Sequence, residues 1–206
     1  DKVGLYPDVI FGPCGGGSSF GGIAFPFLAD KAAGDKRAEN LRLVAVEPTS
    51  CPTLTKGAYT YDYGDASGYT PIMKMYTLGH DFMPPGIHAG GLRYHGDSPL
   101  VSQLFHEKLI DAIAVPQVAT FEAGVQFARA EGIIPAPESC HAIRAAIDEA
   151  LRCKITGEAK TILFCLTGHG HFDMASYDKY FSGKLEDYDY PAEAITESLK
   201  HLPKFG

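Results

Sequence analysis

Apolar runs alternate with amphipathic segments along the chain, which is the pattern of strands followed by helices. Continuous apolar runs predict strands at residues 9–11, 41–46, 112–115 and 161–166. Apolar residues at helical spacing predict helices at residues 19–33, 99–109, 120–130, 137–154 and 192–202. The alternation predicts an α/β fold of three layers, in which helices cover both faces of a mainly parallel sheet.

Helix-boundary residues refine this pattern. Pro26 is expected to kink or restart the first helix, Ser98 followed by Pro99 is a typical helix start, and Gly132 a typical helix end. Residues 50–97 are rich in Gly, Tyr, Pro and His and show no clear period. A long irregular segment inside a compact domain is usually functional, so we expect this one to cover a site. No repeat or linker divides the chain.

Composition narrows the class of protein. Hydrophobic residues make up 45% of the 206 residues and charged residues 21%, as in an ordinary globular domain. The net charge of −7 and the lack of a basic cluster argue against nucleic acid and membrane surfaces as partners. The five cysteines form an odd, scattered set without a CxxC motif, which favours a reducing, cytoplasmic setting. No apolar run has membrane-spanning length.

The first strand leads into the glycine-rich stretch CGGGSS, residues 14–19. A strand, a glycine turn and a helix start together form the usual anion site, because backbone N–H groups and the helix dipole both favour negative charge. The sequence therefore predicts a phosphate site at Gly15, Gly16, Gly17, Ser18 and Ser19. Two alternatives remain open. The turn could serve packing alone, or it could bind a dinucleotide with Glu47 as the ribose acid, although Phe20 replaces the third glycine of that motif.

Two more polar stretches follow strands or begin helices, EGIIPAPESCHA (131–142) and LTGHGHFD (166–173). Ligands of parallel sheets bind beyond the carboxyl ends of the strands, so we expect these stretches to lie beside the glycine turn. Glu138 falls in the first turn of a helix, where it could cap that helix or face a ligand. Thr167 could present its hydroxyl to a ligand or act as a turn residue.

The histidines of the last stretch raise the alternative of a metallohydrolase. His169, His171 and Asp173 alternate, and such a set suits zinc. The run resembles the HxHxD signature of metallo-β-lactamase-like hydrolases, but Met174 stands where that family has a further histidine. We predict no metal site and interpret these histidines as loop residues that shape a pocket.

Five motifs in order carry a resemblance: CGGGSSFGG, VAVEP, HAGGLRYHG, EGIIPAPESCHA and LTGHGHFDM. From about Pro7 to Tyr177 the chain resembles the C-terminal half of tryptophan synthase β chains of the second, longer type. The resemblance implies a fold type II enzyme that depends on pyridoxal 5′-phosphate and condenses L-serine with indole. It implies cofactor-phosphate binding by Gly15, Gly16, Gly17, Ser18 and Ser19, where Ser19 replaces the more usual Asn.

The same resemblance implies three further roles. Glu138 matches a glutamate near the reacting centre, and Thr167 matches the partner of the pyridine nitrogen, which is more often Ser. Arg93 stands where better-known β chains have an Asp that contacts the substrate hydroxyl. It marks the second type and is a candidate partner for the substrate carboxylate, with a solvent-facing loop arginine as the alternative.

The family's reactive lysine is missing from the expected setting. The resemblance implies a His-Lys or Ser-Lys pair in an N-terminal half, and no lysine of this sequence follows His or Ser. We expect residues 1–206 to be the C-terminal, cofactor-phosphate-binding domain, inactive without the absent lysine-bearing half. A homodimer is expected, and binding of an α subunit is left open. The alternatives are a serine or threonine dehydratase of the same fold type, against which HAGGLRYHG and HGHFD argue, and a non-catalytic phosphate-binding module.

Overall fold

The computed structural model of the protein describes residues 4–204. The strands in this part of the chain are β1 (Val9–Pro13), β2 (Arg42–Pro48), β3 (Ala58–Tyr63), β4 (Ile72–Thr77), β5 (Asp111–Val115) and β6 (Ile162–Phe164). The α-helices are α1 (Ser18–Ala32), α2 (Thr53–Lys56), α3 (Pro99–His106), α4 (Gln117–Glu131), α5 (Pro137–Thr156), α6 (Met174–Phe181) and α7 (Ala192–Ser198).

Four strands form one parallel sheet in the order β5-β2-β1-β6. The central strand β1 is buried along its whole length. Phe11 lies opposite Val44 on one side and Phe164 on the other. The four predicted apolar runs are the four strands of this sheet, so the prediction of a mainly parallel sheet is confirmed.

Side chains alternate between the two faces of β1. Ile10 points to a core shared with Phe20 of α1 and Val101 of α3. Val9 points to the opposite core, which contains Ala142 of α5. Helices therefore cover both faces, and the three predicted layers are present.

The edge strand β6 differs from its prediction. It has three residues, and all of them are only partly buried. The prediction of a strand over residues 161–166 buried on both faces is wrong in length and burial, because an edge strand has one neighbour. Cys165, expected inside that strand, follows it and is partly exposed, whereas Cys14 follows β1 and is buried.

The expectation that residues 50–97 are irregular is wrong in part, because β3 and β4 pair there as an antiparallel hairpin. Its cross-strand pair Tyr59 and Tyr76 stacks with ring centroids 5.0 Å apart. Asp62 of β3 is fully buried and accepts a hydrogen bond from the Thr77 hydroxyl at 2.7 Å. Tyrosines and a buried acid replace the aliphatic alternation that signals most strands.

The helix boundaries follow local chemistry. Ser98 Oγ accepts a hydrogen bond from Val101 N at 3.3 Å, and Gly132 ends α4 with a φ of +72°, as predicted. α1 continues through Pro26, so a restart there is excluded. α6 was not predicted. Among the helices of residues 4–204, none is long and apolar enough to span a bilayer.

Candidate functional site

The glycine turn between β1 and α1 carries a row of free backbone donors. The N–H groups of residues 15–19 have no hydrogen-bond acceptor among the described residues. α1 begins without a side-chain cap and without an acidic residue in its first turn. Uncapped N–H groups at a helix start attract an anion. The turn therefore has the donors and the charge bias that a phosphate group requires.

Two of these glycines, Gly15 and Gly17, are also needed for packing. A Cβ atom on Gly15 would lie 2.6 Å from the carbonyl oxygen of Gly91, and one on Gly17 would lie 2.3 Å from Asp97 Oδ1. A Cβ on Gly16 would lie 3.4 Å from the Tyr94 ring, which is an ordinary contact. Residues 91–98 pack against the glycine turn. Gly15 and Gly17 therefore serve packing, and this does not conflict with an anion site at the same turn.

A buried acid lies behind the turn. Cys14 Sγ donates a hydrogen bond to Asp97 Oδ2 at 3.0 Å, while Asp97 Oδ1 is buried with no partner among the described residues. Burial raises the pKa of Asp97 to about 7, although the hydrogen bond from Cys14 opposes this. Sequence reasoning did not identify Asp97, because an Asp after glycine in a polar loop is usually exposed.

Glu47 does not match the role of a ribose acid. Its side chain is buried, and its two carboxylate oxygens accept hydrogen bonds from Leu54 N and Thr55 N, each at 2.9 Å. Burial raises the pKa of Glu47 to about 7 against these donors. The Glu47 carboxylate already accepts hydrogen bonds from the backbone of α2. The dinucleotide alternative therefore loses the acid that would bind the ribose.

The second polar stretch reaches the loop of residues 88–96. Glu138 is half-buried in the first turn of α5, and its Oε1 accepts a hydrogen bond from Gly91 N at 2.9 Å. It therefore does not cap its own helix but fixes the loop that packs on Gly15. Arg93 of that loop is exposed, with one hydrogen bond from Nη2 to the Pro84 carbonyl oxygen at 3.3 Å.

The third stretch follows β6 and is attached to the second. Gly170 N donates to the Ile134 carbonyl oxygen at 2.8 Å, and Thr167 N donates to Ser139 Oγ at 3.0 Å. The Thr167 side chain is exposed. Ser19 Oγ lies 3.9 Å from Cys165 Sγ, so the glycine turn borders this stretch as well. All three predicted stretches thus meet at the carboxyl edge of the sheet.

The histidines do not form a metal centre. His169 Nδ1 accepts a hydrogen bond from His171 N at 3.2 Å, and the two rings lie 4.6 Å apart. Across residues 4–204 no group of three or more His, Cys, Asp and Glu side chains is placed to hold a metal ion. Burial raises the pKa of Asp173, and the nearby Glu138 carboxylate raises it further. Asp173 thus borders Glu138, a proximity that the sequence did not reveal.

Comparison with protein families matches residues 1–168 to the model described as "Pyridoxal-phosphate dependent enzyme". The tryptophan synthase beta chain 2 of Aquifex aeolicus is 65% identical over 91% of this chain and 43% of its own length. That of Methanosarcina mazei is 62% identical over 90% of this chain and 41% of its own length. The chain thus spans about two fifths of the length of these relatives.

Solved structures share the fold at low sequence identity. A fungal L-serine ammonia-lyase from Rhizomucor miehei superposes with a TM-score of 0.61 at 17% identity, over 88% of this chain and 51% of its own. A maize serine racemase gives a TM-score of 0.58 at 22% identity, over 86% of this chain and 50% of its own. These likenesses establish the architecture alone.

Proposed function

Because the chain belongs to the family of pyridoxal-phosphate dependent enzymes, we propose that it forms the cofactor-phosphate-binding part of a tryptophan synthase β chain, with residues 1–206 as one domain. The reaction proposed is the condensation of L-serine with indole to L-tryptophan. The observation that carries the proposal is the row of unpartnered N–H groups at residues 15–19, which faces the same edge of the sheet as the Thr167 stretch. The names of the similar proteins supply the reaction.

The residues at this edge fit pyridoxal 5′-phosphate. The phosphate would be held by Gly15, Gly16, Gly17, Ser18 and Ser19, whose N–H groups lack acceptors within residues 4–204. When bound, the cofactor supplies an electrophilic carbonyl and an electron-withdrawing ring that weaken the bonds at an amino acid's α carbon. The Thr167 hydroxyl would donate a hydrogen bond to the ring nitrogen. Unlike a carboxylate, this hydroxyl brings no charge that would hold a proton on the nitrogen.

Two side chains would act on the substrate. Glu138 is fixed by Gly91 N through Oε1 and so keeps Oε2 available near the reacting centre. Arg93 is exposed and uses one of its N–H groups on Pro84, which leaves the others for the carboxylate of L-serine.

The proposed partners follow from the relatives. They are L-serine, indole, the lysine-bearing N-terminal part and a second copy of the protein in a homodimer, with an α subunit as a further candidate. A cytoplasmic location is proposed because all five cysteines are free thiols.

The chain by itself is expected to form no tryptophan from L-serine, indole and pyridoxal 5′-phosphate. The reaction requires a lysine amine that holds the cofactor and moves the α proton, and neither the glycine turn nor Glu138 or Thr167 supplies an amine. The measurement is tryptophan fluorescence with the chain alone. The assay is then repeated with a separate polypeptide comprising the N-terminal part of the Aquifex aeolicus protein, which is also assayed alone as the control.

Tryptophan formation only on mixing supports the proposal. Turnover by the isolated chain contradicts it. Release of pyruvate from the mixture without consumption of indole would instead identify a serine ammonia-lyase, the activity named for the fungal structure.

A further inference from the structure

One fully buried hydroxyl holds the residue proposed to contact the cofactor ring. Ser139 is the third residue of α5 and has no exposed surface. Its Oγ accepts a hydrogen bond from Thr167 N at 3.0 Å and donates one to the Thr167 carbonyl oxygen. The same Oγ lies 3.4 Å from Thr167 Oγ1. A single side chain thus contacts both backbone groups and the hydroxyl of Thr167.

The proton count gives this contact a direction. A serine hydroxyl has one proton and two acceptor positions. Ser139 gives its proton to the Thr167 carbonyl oxygen and uses one acceptor position on Thr167 N. Towards Thr167 Oγ1 it can therefore only accept. The proton of the Thr167 hydroxyl is then the only one between the two oxygens, and it can turn either to Ser139 Oγ across the long 3.4 Å contact or to an acceptor on a ligand.

Neither helix capping nor loop folding explains the arrangement. Among the described residues, the hydrogen bonds of the Ser139 hydroxyl all go to Thr167, and none goes to its own helix, where a serine in the first turn often bonds. The loop after Thr167 has anchors of its own, because Ala136 N donates to the Gly168 carbonyl oxygen and Gly170 N to that of Ile134.

We propose that Ser139 is a positioning residue, which acts through Thr167 by fixing its backbone so that Oγ1 can donate a hydrogen bond to the nitrogen of a pyridine ring. This inference rests on the proposed function, since it needs the ring to lie against Thr167. Ser139 itself does not touch the ring.

Two probes separate the ring from the phosphate. Pyridoxine 5′-phosphate carries the pyridine ring and the phosphate but no aldehyde, so it cannot react with surface lysines. Inorganic phosphate reaches only the glycine turn. Affinity for both is measured by calorimetry on the parent chain, Ser139→Ala, Ser139→Cys, Thr167→Val and the double variant Ser139→Ala/Thr167→Val. Ser198→Ala, which removes a buried hydroxyl in α7 that donates to Asp81, is the matched control.

Ser139→Ala is expected to weaken pyridoxine 5′-phosphate binding about tenfold, as for the loss of one positioned hydrogen bond. Phosphate binding should stay within about twofold of the parent. Ser139→Cys has a weaker donor of similar size, so its affinity for pyridoxine 5′-phosphate should lie between that of the parent and that of Ser139→Ala. In the Thr167→Val background the Ser139→Ala change should add almost nothing, because both act through one hydroxyl.

Equal losses for both probes, or additive losses in the double variant, would overturn the positioning role and leave Ser139 as a packing residue. If the parent chain binds inorganic phosphate but binds pyridoxine 5′-phosphate more weakly, the proposed function is overturned together with this inference. Thermal unfolding of each variant identifies any loss that comes from misfolding, and Thr167→Val in the exposed loop then tests the ring contact on its own.

Discussion

Gly17→Ala is expected to abolish phosphate binding at the glycine turn and to lower the free energy of unfolding by about 2 to 5 kcal/mol. Gly17 has a φ of +90°, and the left-handed region costs an alanine about 1–2 kcal/mol. The new Cβ would also lie 2.3 Å from Asp97 Oδ1 and 2.8 Å from Ser98 Oγ, and such overpacking typically costs about 1–3 kcal/mol. Relief of the overlap would move the N–H groups at the start of α1.

The matched control is Gly22→Ala in the same helix. Gly22 has an ordinary helical conformation, is exposed and has no atom within 4 Å of the position of a Cβ. Alanine there should raise the free energy of unfolding by about 0.5–1 kcal/mol. Urea unfolding and phosphate titration of both variants make the comparison. A Gly17→Ala variant that is as stable as the parent and still binds phosphate would show that the turn does not need glycine.

Asp97→Asn is expected to change stability in opposite directions at low and high pH. Burial raises the pKa of Asp97 to about 7 in the folded state, from about 4 when unfolded. The folded state therefore binds the proton more tightly, and the contribution of Asp97 to stability falls as the pH rises from about 4 to 7. At pH 8 the folded parent carries a buried charge, which Asn removes.

The substitution loses no hydrogen bond, because Oδ2 accepts from Cys14 and Oδ1 has no partner among the described residues. An unpaired amide N–H group costs about 1–3 kcal/mol, less than the roughly 4 kcal/mol that the pKa shift represents. Asn should thus stabilise the fold by about 1–3 kcal/mol at pH 8 and destabilise it by a similar amount near pH 4.5.

Urea unfolding of parent and variant at several pH values provides the measurement. Glu47 is present in both proteins, and because the Asp97 charge also raises its pKa, the difference reports Asp97 together with its effect on Glu47. Asp178→Asn, at an exposed position of α6, is the control and should change little at either pH. A constant difference between parent and Asp97→Asn from pH 4.5 to 8 would mean that Asp97 stays ionised in the folded protein.

The sheet could be predicted from sequence because its strands carry their own signal. Val9 and Ile10 of β1 point to opposite faces and are both apolar, as are the β2 residues around Val44, and only a strand between two helical layers needs this. The β3–β4 hairpin gave no such signal, since it buries Asp62 with a Thr77 hydroxyl rather than an aliphatic row. The prediction made β6 too long, because an apolar run does not show how many neighbouring strands a strand has.

The site was predictable only where a motif carries its chemistry locally. The glycine turn is a local feature, so its free N–H groups and helix start could be anticipated. Ser139 and Asp97 matter through what they contact, residues 28 and 83 positions away in the chain. Such contacts depend on the packing of whole elements. The roles given to Glu138, Thr167 and Arg93 stay predictions.

The position of β1 at the centre of the sheet also bears on how the protein is made. β1 pairs Val9 with Ile162 of β6, so one side of this strand is closed by residues about 150 positions further along the chain. On a translating ribosome, Val9 and Phe11 have no strand on that side until Ile162–Phe164 have emerged. Pairings this distant in sequence slow folding and prolong exposure to aggregation. The glycine turn therefore acquires its neighbour Cys165 only after the 146 positions that separate Ser19 from Cys165 have been synthesised.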